Sequence, residues 1–181
     1  MSGATLLDRA VARFEALEPE LNRLDAATGD GDHGTTMLKG LRAAAAAAAE
    51  EEEEAPDLAF RKAAGGASGM LFATLIEALG HIEAEAAAVD EALGKAVKKI
   101  AMLGQAKAGD KTMLDALIPA AACPSLAAAA QAAEAGRDAT REMAAKRGRA
   151  KYVEGAGVGH VDAGATTVAA LLRLFAEGLE P

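Results

Sequence analysis

The chain has 181 residues, of which 51% are hydrophobic and 3% aromatic, with a formal net charge of −8. This length fits one domain over residues 1–181 that buries its own core, without disulfide or metal staples. The acidic balance argues against a nucleic acid or an anionic membrane as the main partner, because both need a basic face. The single cysteine, Cys123, cannot form an internal disulfide, which fits a reducing, cytoplasmic compartment.

Alanine dominates the apolar fraction, with about 50 residues in the chain. Because alanine is the strongest helix former and a poor strand former, the composition favours an all-α fold. No stretch of about 18 apolar residues is free of charged side chains, so no membrane-spanning helix is predicted. The N-terminal residues also lack the continuous apolar core of a signal peptide.

Hydrophobic spacing predicts seven or eight helices joined by short connections. The first covers about residues 5–21, where apolar side chains recur at three- and four-residue intervals. Proline at position 56 is typical of a helix start, and the five glutamates at 50–54 are expected at a solvated helix end or loop. Short connections predict an up-and-down antiparallel arrangement. The other helices are expected at about 36–50, 58–64, 70–81, 89–104, 112–122, 125–147 and 165–178.

Three aspartates, Asp25, Asp30 and Asp32, lie within eight positions and are separated by glycines. Carboxylates brought together repel one another, and a hard cation removes that cost. An oxygen-only ligand set suits Mg²⁺ better than Zn²⁺. The alternative is a solvated acidic turn, since aspartate and glycine are good turn formers. The spacing is not that of an EF-hand, because the loop lacks the further ligands and the closing glutamate.

The residues after the aspartates, from Gly34 to Met37, open the second helix. A helix N-terminus with hydroxyl side chains is a phosphate-binding feature, although an ordinary threonine N-cap is the simpler interpretation. The stretch 29–36 lacks the lysine of a P-loop. The glycines at 155–159 break the dinucleotide-binding pattern, and no strand precedes them. The sequence therefore excludes a P-loop NTPase and a Rossmann domain.

Three further breaks interrupt the helical pattern. Glycines at 65–69 favour a close backbone approach, because each interior glycine costs about 1 kcal/mol relative to alanine. The break at 104–113 offers Asp110 as the N-cap of the next helix. In the break at 148–167, Asp162 is expected to cap the last helix. Taken singly, each break is typical of an ordinary turn.

Together the four breaks resemble the nucleotide-binding L subunit of dihydroxyacetone kinases, a family that also forms the C-terminal domain of single-chain, ATP-dependent dihydroxyacetone kinases. The resemblance implies a barrel of eight antiparallel helices with the nucleotide held by loops at one end. The chain departs from the family at Ala163, where proline is common, and at Thr36, where asparagine is common. The matching blocks are LDAATGDGDHGTTMLKG (24–40), GGASGMLFATL (65–75), GQAKAGDKTMLDAL (104–117) and GRAKYVEGAGVGHVDAGATT (148–167).

The resemblance also implies the site residues. Asp25, Asp30 and Asp32 would chelate two Mg²⁺ ions that bridge the phosphates of ADP or ATP. Met113 would pack on the adenine face, and the fork of Arg149 would contact phosphate or ribose. The full set of implied nucleotide contacts is His33, Gly34, Thr35, Thr36, Ala67, Ser68, Gly104, Met113, Arg149, Asp162 and Gly164.

In this family the sugar is bound by a separate K subunit, to which the L subunit presents the magnesium nucleotide. The resemblance therefore implies a phosphotransferase with dihydroxyacetone kinase activity. In one mode, ADP is a retained cofactor that a phosphohistidine subunit of the phosphotransferase system rephosphorylates. A chain of this length is expected to follow that separate-subunit mode. Whether it forms a homodimer is left open.

Three alternatives remain open at this point. The first is a subunit of an ATP-exchanging kinase that acts on dihydroxyacetone, on another ketose or on a fatty-acid carrier. The second is a regulatory module that senses the nucleotide state without turnover. The third is a helical scaffold without a ligand, which unchanged nucleotide content in an Asp30→Ala variant would support.

Overall fold

The computed structural model describes residues 5–49, 54–152 and 154–179, without the side chains of residues 149 and 150. Within these ranges the chain forms eight α-helices and no strand, as the composition and spacing predict. Most of the glutamate run at 50–54 lies outside the described residues. The helices are α1 (Leu6–Ala26), α2 (His33–Ala49), α3 (Pro56–Ala64), α4 (Gly66–Glu83), α5 (Val89–Gly104), α6 (Met113–Ala120), α7 (Leu126–Ala139) and α8 (Ala163–Leu179).

The helices form a closed ring around one core. Each helix packs against the next along the chain, and α8 returns to contact both α1 and α6. The prediction of short connections is wrong between α7 and α8, where the 23 residues 140–162 join the two helices. Most connections are short and make neighbouring helices antiparallel. The connections after α1, α3, α5 and α7 therefore meet at one end, which we call the loop end. All the sequence blocks singled out above include residues of these connections.

The few large side chains fill the centre of the ring. Phe14, Phe60 and Phe175 are almost completely buried, together with leucines from most of the helices. Alanines such as Ala129 and Ala133 line α7 and are fully buried. Small side chains allow close helix approach, while the larger apolar groups supply most of the transfer free energy. In the described part of the chain, no helix is long and apolar enough to cross a membrane.

Some predicted helix boundaries are wrong in ways that matter for the loop end. Helix α4 begins at Gly66, four residues earlier than expected, so most of the predicted break at 65–69 is helical. Helix α1 continues five residues further than expected, to Ala26, and so carries Asp25 in its last turn. Helix α7 ends at Ala139 rather than near residue 147. The chain then passes through short 3₁₀ turns, because its backbone bonds to other loops: the N–H of Lys146, for example, donates to the carbonyl of Asp110 at 3.0 Å.

The capping predictions are confirmed at one helix and wrong at another. The side chain of Asp162 accepts the N–H of Ala165 at 2.7 Å and so caps α8. Asp110 does not cap α6. The cap is Thr112, whose hydroxyl accepts the N–H of Leu114, while Asp115 accepts the N–H of Thr112 at 2.8 Å. Asp110 is instead buried in contacts with a neighbouring loop, described below.

Replacing Gly136 with alanine is expected to destabilise the protein. A Cβ at this position in α7 would lie 2.3 Å from the carbonyl oxygen of Asp115 in α6. Such overpacking costs about 1–3 kcal/mol of unfolding free energy. The matched control is Gly94→Ala in α5, where an added Cβ meets nothing within 4 Å.

Urea unfolding followed by circular dichroism tests this pair. The Gly94→Ala variant should gain up to about 1 kcal/mol, because alanine has the higher helix propensity. Equal stability changes in the two variants would contradict the close contact between α6 and α7.

Candidate functional site at the loop end

The structure brings together the three aspartates of the α1–α2 connection. One carboxylate oxygen from each of Asp25, Asp30 and Asp32 lies within 4.8 Å of the others. Asp25 also shapes the loop, because its Oδ2 accepts the N–H of Gly31 at 2.9 Å and of Asp32 at 3.0 Å. Gly31 has a φ of +79°, a conformation that favours glycine.

This arrangement fits a magnesium ion. Mg²⁺ binds oxygen ligands at about 2.1 Å in octahedral geometry, so its ligands lie roughly 3 to 4 Å apart, which is compatible with three oxygens that lie within 4.8 Å of one another. The donors are carboxylate oxygens, Asp30 and Asp32 are exposed, and Asp25 is half-buried. A hard divalent cation would offset the repulsion of three like charges held this close.

Helix α2 begins immediately after the last aspartate. The carbonyl of Asp32 accepts the N–H of Thr36 at 2.9 Å, so the cluster and the helix start are one unit. His33 is buried, with its Nε2 2.9 Å from Oγ1 of Thr167 in α8 and its ring 5.6 Å from the ring of Phe72 in α4. Burial lowers the pKa of His33 to about 4, with Asp25 opposing the shift, so the ring is neutral near pH 7.

Thr35 is tied to α1 by two side chains that the sequence analysis missed. Its N–H donates to Asn22 Oδ1 at 3.1 Å, and its hydroxyl donates to Glu18 Oε1 at 2.7 Å. The Nδ2 of Asn22 in turn donates to the Thr35 hydroxyl at 3.0 Å. Glu18, Asn22 and Asp25 lie four and three residues apart on α1, a spacing that places them on one helix face. That spacing could have identified them.

The segment between α7 and α8, residues 140–162, is called the crossover segment. Lys111 of the α5–α6 loop lies under it, with only 3% of its surface exposed. Its Nζ donates to the carbonyls of Thr140 at 2.7 Å, Gly157 at 2.8 Å and His160 at 2.6 Å. Burial lowers the pKa of the Lys111 ammonium, and the carboxylate of Asp162 opposes that shift. Apart from the position of the lysine in a matched block, no local pattern indicates this role.

Asp110 ties the same two loops at a second point. Its buried carboxylate accepts hydrogen bonds from Nε of Arg147 and from the N–H of Lys107, both at 3.1 Å. Burial alone would raise the pKa of Asp110, but these bonds and the charges of Arg147 and Lys146 leave it below its usual range. The ammonium of Lys146 also donates to the carbonyl of Gly109 at 2.9 Å.

The start of α8 completes this side of the site. The N–H of Asp162 donates to the hydroxyl of Thr140 at 2.8 Å. Burial raises the pKa of Asp162 to about 6, against the hydrogen bond from Ala165 and the charge of Lys111, which lower it. Gly164 packs on α6, because a Cβ added there would lie 3.4 Å from the Cβ of Met113.

The remaining predicted site residues are distributed around this end. Ala67 is exposed and Ser68 half-buried in the first turn of α4, and Gly104 ends α5 beside Leu71. Met113 is 95% buried at the start of α6, so only a small part of it can face a ligand. Arg149 lies in a 3₁₀ turn of the crossover segment, and its side chain is outside the described residues.

A cavity of about 270 Å³ lies elsewhere, between the start of α1 and the ends of α2, α4 and α8. None of the predicted site residues lines it. The aspartate cluster is therefore at the loop end and this cavity at the opposite one, so we assign no nucleotide contact to it.

The Asp162 carboxyl is expected to titrate near pH 6 in the ligand-free protein. A carboxyl whose pKa is raised by folding contributes stability that is complete below its unfolded value of 3.8 and is lost as the pH rises through about 6. The ¹³C shift of the side-chain carboxyl, assigned with the Asp162→Asn variant, measures the midpoint.

The same variant gives the control for stability. Asparagine retains an oxygen that can cap α8 but does not ionise. Between pH 4.5 and 7.5, the wild type should lose unfolding free energy relative to Asp162→Asn. A carboxyl midpoint near 4, or a parallel pH dependence of the two proteins, would contradict the burial of this charge.

A family profile described as the DAK2 domain matches residues 27–177. D-erythrulose kinase of Mycolicibacterium smegmatis is 39% identical over 207 residues, covering 97% of this chain and 36% of that protein. Dihydroxyacetone kinase of Citrobacter freundii is 34% identical over 190 residues, covering 96% of this chain and 34% of that protein. The crystal structure of the C. freundii enzyme in complex with AMP-PNP and Mg²⁺ matches with a TM-score of 0.72 and 29% identity, over 97% of this chain and 33% of that chain. The chain thus spans about a third of the length of the curated relatives it matches.

Proposed function

Because the chain belongs to the DAK2 domain family, we propose that it is the nucleotide-binding part of a kinase that phosphorylates dihydroxyacetone or a related short ketose. The observation that carries the proposal is the aspartate cluster, with three carboxylate oxygens within 4.8 Å of one another at the start of a helix. A similar structure, that of C. freundii dihydroxyacetone kinase, is a complex with AMP-PNP and Mg²⁺. We therefore assign ADP or ATP, with magnesium, to the loop end.

In this proposal Asp25, Asp30 and Asp32 hold the metal, and two ions are expected, as in the family that the sequence resembles. Bound magnesium would neutralise charge on the nucleotide phosphates. The N–H groups of Thr35 and Thr36 already donate to Asn22 and to the Asp32 carbonyl. Phosphate contacts at the start of α2 are therefore assigned first to the backbone of His33 and Gly34.

The other predicted residues would complete the nucleotide site. Ala67 and Ser68 would approach the phosphates from the start of α4. Gly104 and the exposed edge of Met113 would contact the base, and Arg149 the phosphate or ribose. Asp162 and Gly164 would border the site from the start of α8. This chain would then contribute positioning and charge neutralisation to phosphoryl transfer.

The acceptor would be held by other polypeptide. The relatives are about three times as long as the stretch that this chain matches, which supports an acceptor-binding region outside it. We propose a K-type partner subunit or domain for that role. Activation of the acceptor hydroxyl is assigned to the partner, since a general base within this chain is not required for phosphoryl transfer.

Replacing Asp30 with asparagine is expected to raise the dissociation constant of ADP in the presence of Mg²⁺ by about tenfold or more, because a charged metal ligand is lost. Isothermal titration calorimetry at fixed Mg²⁺ measures the change. The control is Asp57→Asn, which removes one carboxylate at the opposite end of the bundle. Unchanged ADP affinity in Asp30→Asn, or ADP binding that ignores Mg²⁺, would refute the proposal.

Two phosphoryl donors are compatible with this site. We propose that ADP is retained as a cofactor and is rephosphorylated by a phosphohistidine subunit of the phosphotransferase system. The tying of the crossover segment at Asp110 and Lys111 supports slow nucleotide release. The second candidate is an exchanging ATP substrate. The relatives in which the matched stretch is about a third of one longer chain support it, because the single-chain kinases that the sequence resembles are ATP-dependent.

Nucleotide retention distinguishes these donors. With a retained cofactor, native mass spectrometry after extensive dialysis should find ADP still bound to the chain. ATP should then form on addition of a phosphohistidine donor. Nucleotide that dialyses away would instead favour the exchanging kinase. Retained nucleotide without phosphoryl transfer to any partner would favour a nucleotide-sensing module.

A further inference from the structure

The crossover segment has little regular structure of its own. Its described residues form only short 3₁₀ turns, and its glycines at 148, 155, 157 and 159 all have positive φ angles. A segment of this kind has many accessible conformations. A ligand that binds only one of them binds more weakly, because ordering the segment costs conformational entropy. The segment includes Arg149 and ends at Asp162, two of the residues assigned above to the nucleotide. Its conformation therefore bears on the site.

Lys111 uses all of its hydrogen-bonding capacity on this segment. An ammonium group has three N–H donors, and those of Lys111 go to the carbonyls of Thr140, Gly157 and His160. Thr140 lies at the beginning of the crossover segment, and Gly157 and His160 lie near its end. The Lys111 side chain therefore joins the two ends of the segment. With every donor used, Lys111 has none left for a phosphate group. Its role must differ from that of a phosphate-binding lysine.

One of these carbonyls, that of Gly157, lies where the crossover segment meets residues 25–32, which we call the aspartate loop. A Cβ added to Gly157 would lie 2.4 Å from Cγ2 of Thr28 and 3.3 Å from Cε of Lys111. Thr28 follows Asp25 by three residues, and its N–H donates to the Asp25 carbonyl at 2.9 Å. Lys111 therefore holds Gly157 against the loop that contains the predicted metal ligands.

A further hydrogen bond joins the crossover segment to the α5–α6 loop, at Arg147. Arg147 donates to the buried carboxylate of Asp110, the neighbour of Lys111 in the sequence. The Arg147 side chain is itself 46% exposed, so its loss leaves no large buried void. The two ties together connect the α5–α6 loop with residues 140–160.

We propose that Lys111 is a positioning residue that holds the crossover segment against the aspartate loop and thereby sets the nucleotide affinity of the site. The proposal rests on the function proposed above. Asp110 and Arg147 provide a weaker second tie for the same purpose. The metal ligands do not depend on Lys111, because Asp25 organises its own loop through the N–H groups of Gly31 and Asp32.

Two variants test the proposal, each with a matched control. Lys111→Met removes the three donors and keeps a long side chain, and Lys98→Met removes the same charge from an exposed position of α5. Arg147→Gln removes the second tie. Its control is Arg42→Gln, which breaks an exposed ion pair between Arg42 and Glu15. If Lys111→Met does not fold, Arg147→Gln decides the question.

Three measurements are made on each protein: Mn²⁺ binding without nucleotide by electron paramagnetic resonance, ADP binding with Mg²⁺ by calorimetry, and hydrogen exchange of amides 140–160. If the crossover segment occupies the binding conformation only a tenth of the time, the apparent dissociation constant of ADP rises about tenfold. Lys111→Met is expected to show about that loss for ADP, and Arg147→Gln a smaller one. Exchange should be faster in both, while Mn²⁺ affinity stays at the wild-type value.

Unchanged ADP affinity in Lys111→Met would overturn the proposal. If Lys111→Met does not fold, unchanged ADP affinity in folded Arg147→Gln would overturn it. An equal loss of Mn²⁺ and ADP affinity would also overturn it, because that result means a general structural defect. If the wild type binds Mn²⁺ but no ADP, the proposed function fails. In that case the hydrogen exchange data still show whether Lys111 holds the segment.

Discussion

The mutual repulsion of three carboxylates is the constraint on which the loop end depends. Asp25, Asp30 and Asp32 place oxygens within 4.8 Å of one another, so the protein must hold three like charges together. The backbone contributes to this, since Asp25 accepts two N–H groups of its own loop. The helix that follows adds the favourable field of its N-terminus. A site arranged in this way attracts divalent cations although the whole chain is acidic.

The groups around this cluster show a consistent division between neutral and charged side chains. His33, directly beside the aspartates, is buried and neutral near pH 7, and its contacts join α2 to α4 and α8. The buried charges of Lys111 and Asp110 lie in the α5–α6 loop, where they contact the crossover segment. Lys111 and Asp110 are satisfied there by carbonyls, N–H groups and a guanidinium. Buried charge is tolerated where each group is hydrogen-bonded in this way.

The alanine-rich scaffold makes this arrangement possible. Helices lined with small residues approach closely, as α6 and α7 do at Gly136, so a ring of eight short helices can close around few large side chains. Closing the ring brings four connections to one end. All four contain residues with positive φ, such as Gly31, Gly65, Lys111 and Gly157. The helices are regular, and the irregular backbone is concentrated where a ligand would bind.

The sequence by itself determined the helical class, the number of helices and most of their bounds, because periodicity and alanine content are local properties that tertiary contacts do not reverse here. It also identified the aspartate cluster and the cap of α8, since both depend on residues close together in the chain. The cap of α6 is local as well, because Thr112 and Asp115 are three residues apart, and that spacing could have identified it. Only the tertiary structure decided the end of α7 and the roles of Lys111 and Asp110. The physical reason is the same in each case. The backbone groups of residues 140–160 find their hydrogen-bond partners on a loop some 30 to 50 positions away, and no local pattern indicates such partners.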